Sequence, residues 1–124
     1  MRKILFLICL LISSNIVNAA DWVEIEYKTY ADLKSYKKDG IYASAWFKDL
    51  NPGDWELING KKIWFNQYYY KANCTNKTIN LLYAVSYDLK GKVVNSANYP
   101  DIKSYYDPVV PDTRGETKYN ALCN

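Results

Sequence analysis

The chain has 124 residues, of which 16 are lysine or arginine and 13 are aspartate or glutamate, so its formal net charge is +3. This near balance argues against a nucleic-acid-binding protein, which needs a clustered basic surface. The chain contains no histidine, which removes the commonest general base, the Ser-His and Cys-His nucleophile pairs and the usual zinc ligands.

The first 19 residues predict a secretory signal peptide. Arg2 and Lys3 give a positive start, an apolar run follows over residues 4–12, and Val17-Asn18-Ala19 is a suitable cleavage site. This run is shorter than the roughly 20 residues of a membrane span, so a retained N-terminal anchor is the less favoured alternative. We therefore expect an exported protein that is periplasmic, secreted or at the cell surface, with residues 20–124 as a single domain.

Lipid attachment is not expected from this N-terminal segment. Cys9 follows Ile8 rather than a small residue, and it comes after only a short apolar stretch. We therefore expect neither a lipoprotein nor a stable membrane anchor. Loss of Arg2 and Lys3 with the signal peptide would leave 14 basic and 13 acidic residues, a net charge of +1.

The first half of the mature chain predicts two strands. Trp22–Tyr27 alternates between apolar and polar residues, as a half-buried strand does. The segment Tyr30–Gly40 is interpreted as a turn or a short helical bend, and Ile41–Lys48 as the second strand. The sequence Asn51-Pro52-Gly53-Asp54 predicts a turn, and the chain from there to Lys62 is typical of a loop.

The next segments predict two longer strands and a hairpin. Ile63–Cys74 is rich in aromatic residues, and Thr78–Asp88 alternates so that its odd-numbered residues from Ile79 to Tyr87 would share one face. Leu89-Lys90-Gly91 is interpreted as the turn into a strand at Lys92–Ser96, with glycine where a positive φ is expected.

The last third changes from an extended, proline-rich connection to a helix. Thr113 and Glu116 have the spacing of a capping box at a helix N-terminus. Tyr119, Leu122 and Cys123 then fall on one stripe that can face the sheet. Together these elements predict an α+β fold: a mostly antiparallel sheet of five or six strands with a short C-terminal helix packed on it.

Cys74 and Cys123 are the two cysteines of the mature chain. In an exported protein such a pair is most simply a disulfide, and the helical stripe that carries Cys123 would bring it toward Cys74. A free reactive thiol and an intermolecular bridge are the alternatives.

Aromatic residues and one arginine supply the candidate contact residues. The chain holds 13 tyrosines and four tryptophans, a composition that favours strands and contact surfaces. Tyr68, Tyr70, Tyr105, Tyr106 and Arg114 are candidate partner-binding residues, with sheet packing as the alternative for the first two and a solvated or locally paired role for the arginine. No catalytic residue, metal site or cofactor is predicted, so we expect a protein that is not an enzyme.

The second half of the chain also carries an ordered series of motifs. Cys74 ends a strand, Tyr87-Asp88 and Gly91-Lys92-Val93-Val94 form the hairpin that follows, and Pro111-Asp112-Thr113-Arg114-Gly115-Glu116 starts a helix that ends at Cys123. In this order and spacing the chain resembles the surface-adhesin protein E family of bacterial exported proteins.

The resemblance implies an antiparallel sheet with a packed helix, a Cys74–Cys123 bridge, and an adhesin that binds host extracellular-matrix or serum proteins. A surface adhesin of that pattern is tethered by a lipid on its first mature cysteine, and this sequence has no cysteine at that position. The alternative is therefore a soluble periplasmic envelope protein that binds a bacterial partner, as an inhibitor, an immunity protein or an accessory factor.

Overall fold

A computed structural model describes residues 19–50 and 57–124 of the chain. Residues 1–18 hold all but the last residue of the predicted signal peptide and lie outside the described residues, as does the predicted turn Asn51-Pro52-Gly53-Asp54. Within the described ranges, no helix has both the length and the apolar character needed to span a bilayer.

The described residues form nine strands, one 3-10 turn and one helix. The strands are β1 (Trp22–Glu26), β2 (Thr29–Asp32), β3 (Lys37–Asp39), β4 (Tyr42–Leu50), β5 (Leu57–Ile58), β6 (Lys61–Asn73), β7 (Thr78–Asp88), β8 (Val93–Asn98) and β9 (Asp107–Pro108). The 3-10 turn spans Lys103–Tyr105, and helix α1 spans Arg114–Cys123.

Six of these strands lie side by side in the order β1-β2-β4-β6-β7-β8, and all the pairs are antiparallel. The three others pair outside this path, β3 with β4, β5 with β6 and β9 with β7. The predicted antiparallel sheet with a C-terminal helix is confirmed, but the predicted count of five or six strands is wrong, because the described residues form nine. The additional strands have two to four residues, which is too short for an alternating pattern to show.

The segment Tyr30–Gly40 differs from its prediction as a turn or helical bend. Its ends belong to β2 and β3, and only its middle is a turn. The side chain of Asp32 stabilises this turn, because its Oδ1 accepts hydrogen bonds from the N–H groups of Lys34 (3.1 Å) and Asp21 (2.8 Å). The short strands form because the backbone of β4 offers hydrogen-bond partners to both.

The β7–β8 hairpin closely follows its prediction. Strand β7 has the predicted bounds, and Gly91 in the turn has a φ of +77°, a conformation that glycine adopts without strain. The Oδ1 atom of Asp88 accepts hydrogen bonds from the N–H groups of Lys90 and Lys92, both at 2.9 Å. The strand after the turn covers Val93–Asn98, slightly later than the predicted Lys92–Ser96.

The core lies between α1 and one face of the sheet. Its buried members are Ala31, Ala43, Ala45, Phe47 and Ala72 from the strands and Tyr119 and Leu122 from the helix. Because alanine side chains are small, the helix can approach the sheet closely. Phe47, which is fully buried, fills the space between the helix and the sheet. The predicted stripe of the helix therefore does face the sheet.

The N-terminus of α1 is capped by Thr113. Its Oγ1 accepts a hydrogen bond from the N–H of Glu116 at 3.2 Å, as the predicted capping box requires. The carboxylate of Glu116 reaches back to the N–H of Asp112 at 3.3 Å, one residue before the cap. The helix thus begins where the sequence predicts it.

The chain from residue 99 to residue 110 runs from β8 back to the edge of β7. The N–H of Tyr99 donates to the carbonyl of Leu82 (2.8 Å), and Asn80 Nδ2 donates to the carbonyl of Pro100 (3.0 Å). Strand β9 then pairs with the first residues of β7. This connection is the predicted extended segment. It carries the chain from the face of the sheet opposite α1 to the face that α1 covers.

Candidate functional site

The two faces of the sheet differ, and the face opposite α1 carries a cluster of aromatic rings. Trp46 on β4 lies directly opposite Tyr69 on β6, and Tyr69 lies opposite Tyr83 on β7. The ring centroids are 5.4 Å apart for Trp46–Tyr69, 6.0 Å for Tyr69–Tyr83 and 6.1 Å for Trp46–Tyr83. We call this surface, Trp46 with Tyr69 and Tyr83, the aromatic face.

A β-bulge brings the third ring onto this face. Tyr69 pairs with Tyr83 while Tyr70 pairs with Leu81, so Leu82 is an extra residue in β7. An extra residue reverses the alternation of a strand, which places Tyr83 on the face opposite to Leu81. Leu82 itself is buried. The predicted common face for the odd-numbered residues Ile79 to Tyr87 is therefore wrong, because the bulge separates the first two from the last three.

Lys48 extends the aromatic face toward β1. Its Nζ lies 4.7 Å from the ring centroid of Trp22 and 5.5 Å from those of Tyr30 and Phe65. Such contacts between an ammonium and ring faces are attractive. The pKa of Lys48 is nevertheless lowered, because burial among these rings disfavours the charged form. A second ring pair, Phe65 with Tyr87, stacks beside it with centroids 4.6 Å apart.

A polar network lies at the end of the aromatic face away from Lys48. Asp101 accepts hydrogen bonds from Lys71 Nζ at 2.9 Å and from the hydroxyl of Tyr106 at 2.6 Å. Lys71 also lies 4.8 Å from the ring centroid of Tyr42. The hydrogen bond from Tyr106 and the ammonium of Lys71 lower the pKa of Asp101. Burial and the Asp101 carboxylate raise the pKa of Tyr106.

Between this network and the ring cluster lies a shallow depression of about 330 Å³. Its lining includes the rings of Tyr69 and Tyr83, the charged residues Lys71 and Asp101, and Ser44. The Ser44 hydroxyl is fixed because it accepts a hydrogen bond from the hydroxyl of Tyr69 at 2.9 Å. The depression thus combines ring surface with fixed polar groups, which suits the binding of an amphipathic partner segment.

The chemistry of this face is that of a contact surface. Tyrosine and tryptophan supply large, rigid and amphipathic contact areas. Lys71 pairs with Asp101, and the ammonium groups of Lys48 and Lys71 lie against ring faces. In the part of the chain that the structure describes, no group of three or more metal-ligating side chains converges.

The predicted disulfide is confirmed. Cys74 follows the end of β6, Cys123 ends α1, and their sulfur atoms are bonded at 2.06 Å with the Cα atoms 5.5 Å apart. The bridge links the end of a central strand to the end of the helix. It lies on the covered side of the sheet, away from the aromatic face.

Tyr68 and Tyr70 lie on the face that α1 covers. The ring of Tyr70 packs against Phe47 with centroids 6.0 Å apart, and burial raises the pKa of Tyr70 to about 12. The ammonium of Lys118 lies 5.2 Å from the ring centroid of Tyr68 and 5.4 Å from that of Tyr70. These contacts agree with the packing alternative for both residues, and their role in binding a partner stays a prediction.

The other three candidate residues are distributed over the molecule. Tyr105 is exposed in the 3-10 turn, and Tyr106 belongs to the polar network that closes the aromatic face. Arg114 lies at the start of α1, where its Nη1 is 3.7 Å from Asp49 Oδ2. The structure therefore places Tyr106 next to the aromatic face and Arg114 on the helix side. Their contact roles stay predictions.

Trp46, Tyr69, Tyr83 and Lys48 are not among the contact residues predicted from the sequence. The alternation of Tyr42, Ser44 and Trp46 does indicate that these side chains share a face of their strand. This alternation does not show how β4 pairs with β6 or how β6 pairs with β7, and these pairings bring the rings of the cluster together.

The comparisons with known proteins agree with this architecture. Crystal form II of Haemophilus influenzae protein E superposes on the chain with a TM-score of 0.58 at 13% identity, over 86% of this chain and 89% of the other. A crystal structure of protein E from non-typeable Haemophilus influenzae superposes with a TM-score of 0.56 at 14% identity, over 87% of this chain and 78% of the other. The selenomethionine form of the same protein gives 0.56 at 14% identity over 86% and 92%. At these identities the likeness shows the fold alone.

No curated protein matches the sequence. The family model described as surface-adhesin protein E, in contrast, matches residues 22–124, which include every strand and the helix described above. The chain therefore belongs to the surface-adhesin protein E family.

Proposed function

We propose that this protein is a non-enzymatic adhesin that binds host extracellular-matrix or serum proteins through the aromatic face. Membership of a surface-adhesin family implies an exported or cell-surface protein that binds proteins or host surfaces. The observation that carries the choice of surface is the ring cluster of Trp46, Tyr69 and Tyr83 on the face opposite the helix.

The ring cluster has the properties of residues that supply binding energy at protein interfaces. A few aromatic side chains near the centre of an interface commonly supply most of it. In the aromatic face, contacts between the rings limit their motion before a partner arrives, so less conformational entropy is lost on binding. Tyr83 has 44% of its surface exposed, which leaves ring area available to a partner.

We extend the proposal to Tyr105 and Tyr106 at the closed end of this face. Tyr106 is held by Asp101, and Tyr105 precedes it with an exposed side chain. Tyr68, Tyr70 and Arg114 face the helix side, so they form a separate candidate region. The two regions lie on opposite faces of the sheet and can therefore be tested independently.

Binding of the purified protein to immobilised basement-membrane extract and to immobilised serum proteins tests this function. We expect saturable binding to one of these surfaces and a loss of about tenfold or more in affinity for Tyr83→Ser. Tyr27→Ser is the matched control, because Tyr27 is 75% exposed in the β1–β2 turn. Equal binding of Tyr83→Ser and the native protein would contradict the choice of the aromatic face.

Protease treatment of intact cells separates the adhesin from the periplasmic alternative. An adhesin is cleaved on intact cells, whereas a periplasmic protein is cleaved only after lysis. If the protein resists the protease on intact cells and binds a bacterial envelope component, its partner is bacterial and the proposed host partner is wrong. The Tyr83→Ser variant would then show whether that partner uses the same surface.

A further inference from the structure

One end of the sheet concentrates positive charge. The β5–β6 turn and the β7–β8 turn lie side by side there, because Ile63 pairs with Asp88. The surface between them is a depression of about 360 Å³ that is lined by Lys61, Lys62, Asp88, Leu89, Lys90 and Lys92. We call this surface the lysine end.

Among the residues that the structure describes, Asp88 is the acidic residue that lines the lysine end. Asp88 is only 8% exposed, and its Oδ1 accepts the two backbone hydrogen bonds that hold the β7–β8 turn. Within the part of the chain that the structure describes, four lysines and one aspartate therefore line this depression. This local excess contrasts with a net charge of +1 for residues 20–124 as a whole.

Large apolar side chains are exposed at the same end. Leu57 pairs with Lys62, Val93 pairs with Tyr87 just after the β7–β8 turn, and Leu89 lies in that turn. Trp64 is near the start of β6, two residues after Lys62. The exposed fractions of these four side chains range from 45% to 63%. Exposed apolar side chains therefore occupy the same end of the sheet as the lysines.

We propose that the lysine end docks reversibly on an anionic lipid bilayer. Lysine side chains next to a negatively charged leaflet are attracted to its phosphates, and neighbouring leucine, valine and tryptophan side chains gain free energy by leaving water at the headgroup level. The combination favours a lipid surface over a soluble polyanion, because a sulfated or phosphorylated polymer offers no apolar phase to the exposed Leu57, Leu89 and Val93.

This docking surface is independent of the proposed adhesin function. It lies at the β5–β6 and β7–β8 turns, whereas Trp46, Tyr69 and Tyr83 lie in the middle of their strands. It also needs no transmembrane helix, since only the side chains at the turns would enter the headgroup region. A protein docked by this end keeps α1 and the aromatic face outside the bilayer.

Co-sedimentation with lipid vesicles tests the proposal. We expect the protein to bind vesicles of phosphatidylglycerol and phosphatidylcholine and to bind vesicles of phosphatidylcholine alone at least about tenfold more weakly. High salt should release it, because salt screens the attraction between lysines and phosphates. Equal binding to both kinds of vesicle, or to neither, would overturn the proposal.

Two pairs of variants with matched controls localise the surface. Lys90→Gln with Lys92→Gln should reduce vesicle affinity about 10- to 30-fold, whereas Lys34→Gln with Lys38→Gln, the same loss of charge around β3, should not. Leu89→Ser should reduce it about fivefold, while Leu33→Ser, at a leucine that is 56% exposed near β3, should have no effect.

A soluble polyanion provides the remaining test. Free heparin at low salt should bind more weakly than anionic vesicles, and Leu89→Ser should not change heparin binding. If heparin binds more tightly than the vesicles and Leu89→Ser leaves both affinities unchanged, the lysine end recognises a polyanion and the lipid proposal is wrong. The aromatic-face variant Tyr83→Ser should bind vesicles normally, which distinguishes this proposal from the adhesin function.

Discussion

The ammonium group of Lys118 lies 2.9 Å from Asp49 Oδ2, between the helix and the covered face of the sheet. Lys118 is 2% exposed and Asp49 is 7% exposed, so the pair is almost excluded from water. The rings of Tyr68 and Tyr70 lie within 5.5 Å of the same ammonium. The buried charge pair therefore links α1 to β4, and the contacts of the same ammonium with the two rings link α1 to β6.

Replacing Asp49 with asparagine is expected to lower the free energy of unfolding by about 3 kcal/mol. The change leaves the ammonium of Lys118 buried without a counter-charge, which is costly in a poorly hydrated site. Arg114→Met is the control, because Arg114 is 3.7 Å from the same carboxylate but half-exposed, so its loss should cost less than about 1 kcal/mol. Urea unfolding measures both, and equal losses would contradict the dominant role of Lys118.

Removing the disulfide by Cys74→Ser with Cys123→Ser should lower the free energy of unfolding by about 4 kcal/mol. The bridge joins residues 49 positions apart, and closing a loop of that length restricts the unfolded chain by roughly this amount. The denaturant midpoint of the variant measures the loss. If reduction of the native protein lowers its denaturant midpoint by the same amount, the lost stability comes from the disulfide bond. If neither the double substitution nor reduction changes the midpoint, the expected stabilisation by the disulfide is wrong.

The sequence predicts those parts of the fold that local patterns specify. Strand β7 is predicted at both ends because its alternating residues are bounded by turn residues, and Thr113 marks the start of the helix because its hydroxyl caps a backbone N–H. The bulge at Leu82 is not predictable in this way, since it is defined only by the pairing of β7 with β6. Short strands such as β3 depend equally on a partner strand.

The candidate site is less predictable than the fold, because it is assembled across three strands. The abundance of tyrosine and tryptophan indicates a contact surface, but composition does not say which rings meet. Trp46 and Tyr83 are 37 positions apart in sequence and come together only through the register of β4, β6 and β7. The Cys74–Cys123 bridge, in contrast, is the simplest prediction from two cysteines in a chain with a predicted signal peptide.

Acid should weaken the network that closes the aromatic face. The pKa of Asp101 is lowered in the folded protein, so its contribution to stability is fully present above its unfolded pKa near about pH 4 and is lost as the pH falls through the folded pKa. Because Asp101 is largely exposed, we expect a contribution below about 1 kcal/mol. Asp101→Asn should therefore reduce the acid dependence of unfolding slightly, and a variant with a steeper acid dependence would contradict this assignment.

Alkaline pH should destabilise the protein through Tyr70. Burial raises the pKa of Tyr70 to about 12, whereas an unfolded tyrosine has a pKa near about 10. Between about pH 10 and pH 12, the folded state therefore keeps the Tyr70 proton that the unfolded state has lost. The contribution of Tyr70 to the free energy of unfolding is fully present below about pH 10 and falls by about 2 kcal/mol as the pH rises toward 12. Tyr70→Phe should remove much of this loss in urea unfolding at successive pH values, while Tyr27→Phe, at an exposed tyrosine, should not. If both variants kept the native alkaline slope, another group would have to carry the proton.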